Sequence, residues 1–174
     1  MDALDLLLAI CILSGFAQAK PRPNESRNVS RITSHSIPST PANQVAQSEC
    51  AKLEHLALAR MGITSAVYVS KDSLKLPSAE GLPATIDLPA FCRVQGVLKP
   101  TTDSFIKYEL WLPTSGWNGR FEQVGNGGFA GRIRYKFMIP ELRNGFAVAS
   151  TDDGHTYGPD QSWAIEHPEK VIDY

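Results

Sequence analysis

The sequence predicts an α/β domain, in which strands and helices alternate along the chain. Residues 92–98 and 105–112 alternate apolar and polar side chains, which is typical of half-buried β-strands. Two further strand-like runs, residues 120–124 and 145–150, are separated by a crossover too long for a hairpin turn. A proline-initiated helix then starts at Pro168. This order indicates the opening of a larger sheet, so we expect the chain to be a fragment of a longer domain.

Length and composition place the chain among globular proteins. It has 174 residues, a net charge of −1 and 43% hydrophobic residues, which fits one folded domain. The near-neutral charge and the lack of a basic run argue against nucleic acid as a partner. No run reaches the roughly 20 apolar residues of a spanning helix, so we expect no membrane partner.

The N-terminus has the pattern of a secretory signal peptide over residues 1–19. Residues 6–13 form a short apolar run, and Ala17 and Ala19 supply a small-x-small cleavage site. The residues before the apolar run are acidic rather than basic, which leaves a membrane anchor as the alternative. We expect secretion of a chain that begins at Lys20.

Residues 20–47 are rich in serine, threonine, proline and asparagine, and they predict a flexible linker. Two Asn-x-Ser sequons fall within it, at Asn24 and Asn28. In a secreted protein both are candidate glycosylation sites. We therefore expect the folded part of the protein to span residues 48–174.

Three cysteines are present, and removal of a signal peptide would take away Cys11. Cys50 and Cys92 would remain. An even number in an oxidising compartment predicts one disulfide, and two buried free thiols are the alternative. Neither cysteine has the spacing of a zinc site, so no metal is predicted at them.

The remaining elements follow from local signals. A first helix is predicted from Ser48, a favourable N-cap residue, to Gly62, a typical stop. A short strand is predicted at residues 66–69. The crossover at residues 132–144 is predicted to carry at most a short helix, because Pro140 interrupts it.

Residues 117–131 contain five glycines directly after a predicted strand. The part GNGGFA matches the dinucleotide pattern G-x-G-x-x-G/A, and Asp152 lies near the spacing of a ribose contact. That pattern requires a helix opening at the glycines, which the crossover does not favour. The other interpretations are a loop whose N–H groups stabilise a catalytic oxyanion, and a plain tight turn. The residues alone do not separate these two.

A second polar cluster, Thr151, Asp152, Asp153 and His155, follows the end of a predicted strand. Such side chains could bind a metal or orient a base. A metal site needs three or four ligands, and no further ligand is evident nearby. A turn whose side chains satisfy its own backbone is an equal alternative.

Several catalytic signatures are missing from the 174 residues. There is no G-x-S-x-G nucleophile elbow, no P-loop and no H-E-x-x-H motif. A complete catalytic centre therefore cannot be assembled from these residues.

Five segments together resemble the N-terminal part of the tannase and feruloyl esterase family, in particular its secreted fungal members. They are CRVQG (92–96), YELWLP (108–113), WNGRF (117–121), GNGGFAG (125–131) and GFAVASTDDGH (145–155), in this order and spacing. The resemblance implies an α/β-hydrolase fold, here only its N-terminal strands and first crossovers. It also implies a Ser-Asp-His triad and a calcium-binding lid, all downstream of this chain, so no cofactor is expected within it.

The resemblance assigns roles to a few residues of this chain. Gly127 and Gly128 match the position that supplies an oxyanion N–H. The Asp152, Asp153 and His155 side chains match a motif that shapes the site without belonging to the triad. Cys50 and Cys92 match an N-terminal disulfide of the family.

The resulting hypothesis is a secreted serine carboxylic-ester hydrolase that acts on phenolic-acid esters, either small molecules or esters attached to polysaccharide. The chain by itself is predicted to be inactive, because it lacks the triad. The alternative is a secreted, non-catalytic, β-rich binding module. A dinucleotide-binding enzyme is a third hypothesis.

Overall fold

The computed structural model describes residues 42–76, 81–82, 86–158 and 160–174. The predicted signal peptide, most of the predicted linker, and the sequons at Asn24 and Asn28 lie outside these residues. Within them, no helix has the length and apolar character needed to cross a membrane.

A five-stranded mixed sheet forms the centre of the fold, with strand order β1-β2-β3-β5-β4. Neighbours from β1 through β3 to β5 are antiparallel, whereas β4 and β5 run parallel. The strands are β1 Met61–Val69, β2 Phe91–Leu98, β3 Ile106–Pro113, β4 Phe121–Val124 and β5 Ala147–Thr151. The four strands from β2 to β5 confirm the predictions to within one or two residues, including the antiparallel pair β2–β3.

The predicted first helix was wrong at both ends. Helix α1 spans Ala42–Lys52, and a 3-10 turn, Leu53–His55, follows it. The linker prediction therefore ran six residues too far, because residues 42–47 are helical. Gly62 does not end a helix but lies within β1, which pairs with β2 along its length. Pairing with β2 satisfies the backbone of β1, and its β-branched residues favour a strand over the continued helix.

Helix α2, Tyr135–Arg143, lies in the crossover between the parallel strands β4 and β5. It is short, as predicted, but it continues through Pro140 instead of being interrupted there. Met138, Ile139 and Leu142 are buried on its inner side. Burial of this apolar face offsets the backbone hydrogen bond that the proline cannot make.

The main core lies between α2 and one face of the sheet. Phe91 and Trp111 contribute its largest side chains, with ring centroids 5.0 Å apart. The segment before β2 covers the same core with three aliphatic residues. The buried members are Leu74, Ile86, Leu88, Phe91, Trp111, Met138, Ile139, Leu142 and Val148.

Glu109 of β3 is buried within this side of the sheet, with only 2% of its surface exposed. Its carboxylate accepts two hydrogen bonds from Arg93, at 2.9 and 2.6 Å. Gln95, Trp111 and Tyr135 donate to it as well, at 2.8, 3.0 and 2.7 Å. One carboxylate thus connects β2, β3 and α2.

A disulfide joins Cys50 of α1 to Cys92 of β2, with the Cα atoms 5.6 Å apart. This confirms the predicted pairing. Because Cys92 is adjacent to Arg93 in the strand, the two side chains leave opposite faces of the sheet. The disulfide therefore attaches α1 to the face opposite α2.

The chain after β5 contains a 3-10 turn, Ser162–Ala164, and helix α3, Pro168–Asp173. Pro168 is the first helical residue, as the sequence predicted. His167 precedes the helix, and its Nδ1 lies 2.9 Å from a carboxylate oxygen of Asp103.

Candidate functional site

The glycine-rich segment forms an exposed loop between the end of β4 at Val124 and the start of α2 at Tyr135. Its tip is a tight turn in which the Ala130 N–H donates to the Gly127 carbonyl at 3.3 Å. The two central residues both have positive φ, +62° at Gly128 and +59° at Phe129. Positive φ at both centres is the pattern of a type I′ turn, which explains the glycine at the first of them.

The N–H groups of Gly127 and Gly128 lie at this tip. Both residues are exposed, and among the described residues no group accepts a hydrogen bond from either N–H. Open space surrounds both α-carbons, because a methyl group built there would meet nothing within 4 Å. The loop thus has two adjacent N–H donors that no described residue uses.

Asn126 connects the loop to the sheet, a role that the sequence did not reveal. Its Nδ2 donates to the carbonyl of Thr151, the last residue of β5, at 2.9 Å. Its Oδ1 is buried and has no hydrogen-bond partner among the described residues. The glycine loop is therefore held at the end of the strand that carries the second polar cluster.

The second cluster forms a compact turn. Oδ1 of Asp152 accepts hydrogen bonds from the N–H groups of Lys107 and Gly154, at 2.8 and 3.1 Å. Thr151 Oγ1 donates to Asp153 Oδ1 at 2.6 Å. Asp153 has a positive φ of 52°. Of these bonds, the one from the Gly154 N–H stays within the turn's backbone, and the one from Lys107 joins the turn to β3.

Burial, the largest influence, raises the pKa of Asp152 above its ordinary value, although hydrogen bonds from Gly154 and Lys107 and the charge of Lys107 act against it. Among residues 42–76, 81–82, 86–158 and 160–174, no three His, Cys, Asp or Glu side chains are grouped as a metal site requires.

His155 is the part of the cluster that reaches the glycine loop. Its ring is buried, with 7% of the residue exposed. The Nε2 atom lies 3.0 Å from the Phe129 carbonyl oxygen, and the Nδ1 atom lies 3.3 Å from that of Asp153. The ring stacks on Trp163, with centroids 3.9 Å apart and planes inclined by 11°.

Phe129 is held from a second side by Tyr174. The Phe129 N–H donates to Tyr174 Oη at 3.1 Å, and the two rings stack with centroids 5.2 Å apart. Neither Trp163 nor Tyr174 was a candidate from the sequence. No spacing signal joins them to the loop, because the contacts arise from the folding of the segment after β5.

The geometry disfavours the dinucleotide interpretation. Helix α2 begins at Tyr135, ten residues after Gly125, so no helix N-terminus faces the glycines. Asp152, the candidate ribose contact, is already used by the backbone of Lys107 and Gly154.

An antiparallel series of strands that leads into a parallel pair with a helical crossover defines the class of protein: the fold is the N-terminal part of an α/β-hydrolase domain. Residues 92–174 match the sequence model of the tannase and feruloyl esterase family. Residues 92–174 therefore belong to this family.

Individual relatives agree with this assignment. The chain is 43% identical over 130 residues to an uncharacterized esterase of Xanthomonas campestris pv. campestris, a match that covers 74% of this chain and 22% of the relative. It is 39% identical over 83 residues to a probable feruloyl esterase B-1 of Aspergillus terreus, covering 48% of this chain and 15% of the relative.

A crystal structure of feruloyl esterase B from Aspergillus oryzae is similar, with a TM-score of 0.62 and 30% identity. That match covers 73% of this chain and 25% of the known structure. The chain therefore spans about a quarter or less of the length of these relatives.

Proposed function

We propose that the chain is the N-terminal part of a secreted serine carboxylic-ester hydrolase acting on phenolic-acid esters, and that its glycine loop provides half of the oxyanion hole. The observation that carries the proposal is that Gly127 and Gly128 are exposed and that their N–H groups donate to no group in the part of the chain that the structure describes. In α/β-hydrolases one of the oxyanion donors comes from a loop of this kind, between a central strand and the first crossover helix.

The chemistry follows from this placement. A serine supplied by the rest of the enzyme would attack the ester carbonyl with a histidine as base, and the carbonyl oxygen would become negative. N–H groups already oriented toward that oxygen stabilise it without reorganising. Each such donor typically lowers the barrier by about 3 kcal/mol.

The substrate class is proposed from the relatives, two of which are named feruloyl esterases. A phenolic ester, such as a feruloyl or galloyl ester, is therefore the substrate to assay first. The assay should use a set of esters that differ in the aromatic acid and in the alcohol, and the set should include polysaccharide-linked esters.

The test compares this chain with the complete reading frame that contains it. We expect release of phenolic acid by the complete protein and none by the 174-residue chain. Gly128→Ala, which places a side chain at φ +62°, should lower kcat of the complete protein about 100-fold and change KM less than about threefold. Gly125→Ala is the matched control, because its methyl group meets nothing within 4 Å and its φ is not positive.

Turnover by the short chain would contradict its predicted inactivity. Absence of esterase activity in the complete protein would favour the non-catalytic binding module. An equal kcat for Gly128→Ala and Gly125→Ala would remove the loop from the oxyanion hole.

We also propose secretion with cleavage after Ala19. The Cys50–Cys92 disulfide supports it, because structural disulfides form mainly in oxidising compartments. Mature protein beginning at Lys20, with a mass that falls on removal of N-linked glycans at Asn24 or Asn28, is the expected result. Recovery of the protein only inside cells, with its N-terminus intact, would contradict it.

A further inference from the structure

We propose that His155 is a positioning residue that holds the strained residue Phe129 and thereby orients the N–H groups of Gly127 and Gly128. The catalytic use of these oriented N–H groups rests on the proposed function. The contact itself is a property of the chain and can be tested without activity.

The first step is the conformation of Phe129. A non-glycine residue at φ +59° lies in a sparsely populated region, and such residues persist only where their surroundings enforce them. The side chain does not enforce it by burial, because 52% of Phe129 is exposed. The restraint must therefore come from specific bonds to its backbone and ring.

Two hydrogen bonds provide that restraint. The Phe129 carbonyl faces His155 Nε2 at 3.0 Å, and the Phe129 N–H donates to Tyr174 Oη at 3.1 Å. A carbonyl oxygen only accepts, so this contact is a hydrogen bond in the tautomer that carries the hydrogen on Nε2. With both its N–H and its carbonyl fixed, Phe129 has little freedom to rotate. The Gly128–Phe129 peptide plane, and with it the turn that begins at Gly127, is then fixed as well.

His155 can act in this way because its own ring is buried and packed against other groups. Trp163 stacks on one face at 3.9 Å, and the His155 N–H donates to the Asp152 carbonyl at 3.3 Å. Gly131 packs so closely that a methyl group there would overlap the His155 carbonyl oxygen. The histidine is thus anchored to the end of β5, and the loop is anchored to the histidine.

The test uses two substitutions that separate the donor from the ring. His155→Phe keeps a flat ring for Trp163 but removes the donor. His155→Gln keeps a terminal N–H that can reach the Phe129 carbonyl but removes the ring. His55→Phe is the matched control, because His55 is exposed and lies in the 3-10 turn after α1, in another part of the fold.

Backbone ¹⁵N relaxation of the complete protein, labelled with ²H and ¹⁵N, is the readout. In the unaltered protein we expect order parameters near 0.85 at Gly127, Gly128 and Phe129, as in a rigid backbone. In His155→Phe they should fall below about 0.6 at these three residues while those of β3 and β5 stay unchanged. His155→Gln should restore them in part, and His55→Phe should leave them unaltered.

Unchanged order parameters at Gly127 and Gly128 in His155→Phe would overturn the proposal. If the variants do not fold, imidazole ¹⁵N shifts of the unaltered protein decide instead. Hydrogen bound at Nε2 of His155 supports the contact, and its absence overturns it.

Activity of the complete protein separates this inference from the proposed function. We expect His155→Phe to lower kcat about 10- to 100-fold with KM changed less than about threefold, and His155→Gln to recover part of the loss. Loss of loop order with kcat unchanged would keep His155 as the positioning residue of the loop and would reject the loop as an oxyanion hole.

Discussion

At the scale of single residues, the site combines exposed donors with a half-buried acceptor. Among the residues that the structure describes, no group accepts a hydrogen bond from the Gly127 or Gly128 N–H, whereas Oδ1 of Asp152 accepts from two N–H groups. An unpaired N–H at the surface is solvated by water and costs little. The hydrogen bond from Asn126 to the Thr151 carbonyl joins the loop to the strand that leads into this turn.

Asp152 leads to a prediction about pH. Burial raises its pKa above the ordinary value of about 3.9, so the folded chain holds this proton to higher pH than the unfolded chain. The stability linked to this proton is complete below the unfolded pKa and is lost as pH rises through the folded pKa. Asp152→Asn keeps an oxygen acceptor for Lys107 and Gly154 but cannot ionise. The difference in free energy of unfolding, variant minus natural chain, should therefore be more positive at pH 7 than at about pH 3.

Asp160→Asn is the control of opposite sign. The hydrogen bond from the Ser162 N–H, the largest influence, lowers the pKa of Asp160, so its stabilising contribution is lost as pH falls. Urea unfolding at a series of pH values measures both variants. An effect of Asp152→Asn that does not change with pH, or that changes in the direction of Asp160→Asn, would refute the prediction.

The sequence indicated part of this site and missed the rest for a physical reason. Gly127, Gly128 and the Thr151–His155 motif stood out because glycine clusters and strand-end polar residues are local signals. Trp163 and Tyr174 carried no such signal. They meet His155 and Phe129 only through the path of the segment after β5, which no local pattern encodes.

At the scale of elements, Glu109 connects three of them. Its two oxygens accept from Arg93 and Gln95 on β2, from Trp111 on β3 and from Tyr135 on α2. Burial, together with the nearby Glu109 carboxylate, raises the pKa of Tyr135, so its hydroxyl remains a donor. One buried carboxylate thus joins side chains of β2, β3 and α2, in addition to the backbone pairing of the strands and the apolar packing of the helix.

Glu109→Gln is expected to destabilise the fold by about 3–5 kcal/mol. The amide would place donors against the donors of Arg93 and its neighbours and would leave a half-buried guanidinium without its counter-ion. Glu49→Gln is the matched control. It breaks the exposed pair with Lys52 and should cost no more than about 1 kcal/mol. Urea midpoints of the two variants measure the difference, and equal shifts would contradict a special role for Glu109.

Element prediction succeeded where the pattern was local and failed where packing decided. Strands β2 and β3 alternate clearly and were found almost to the residue. Pro140 suggested a break, but three buried side chains of α2 keep the helix intact. Local spacing predicted that a helix ends at Gly62. Met61 and Gly62 instead pair with β2, more than 30 residues further along the chain.

At the scale of the whole molecule, the disulfide attaches the N-terminal helix to the sheet. Cys50 and Cys92 close a loop of 42 residues between α1 and β2. Cross-linking a loop of this length removes entropy from the unfolded chain equivalent to about 4 kcal/mol. Helix α1 has only one buried residue, Cys50 itself, so little other burial holds it in place.

We therefore expect reduction to lower Tm by roughly 10 °C, since 1 kcal/mol corresponds to about 2–4 °C in a protein of this size. The double variant Cys50→Ala/Cys92→Ala should melt near the reduced natural chain and should not respond to dithiothreitol. Hydrogen exchange should show the largest loss of protection in α1, because its attachment depends on the bond, and only a small loss in β3, which lies within the sheet. If reduction left Tm and the exchange of α1 unchanged, packing rather than the disulfide would hold this helix on the sheet.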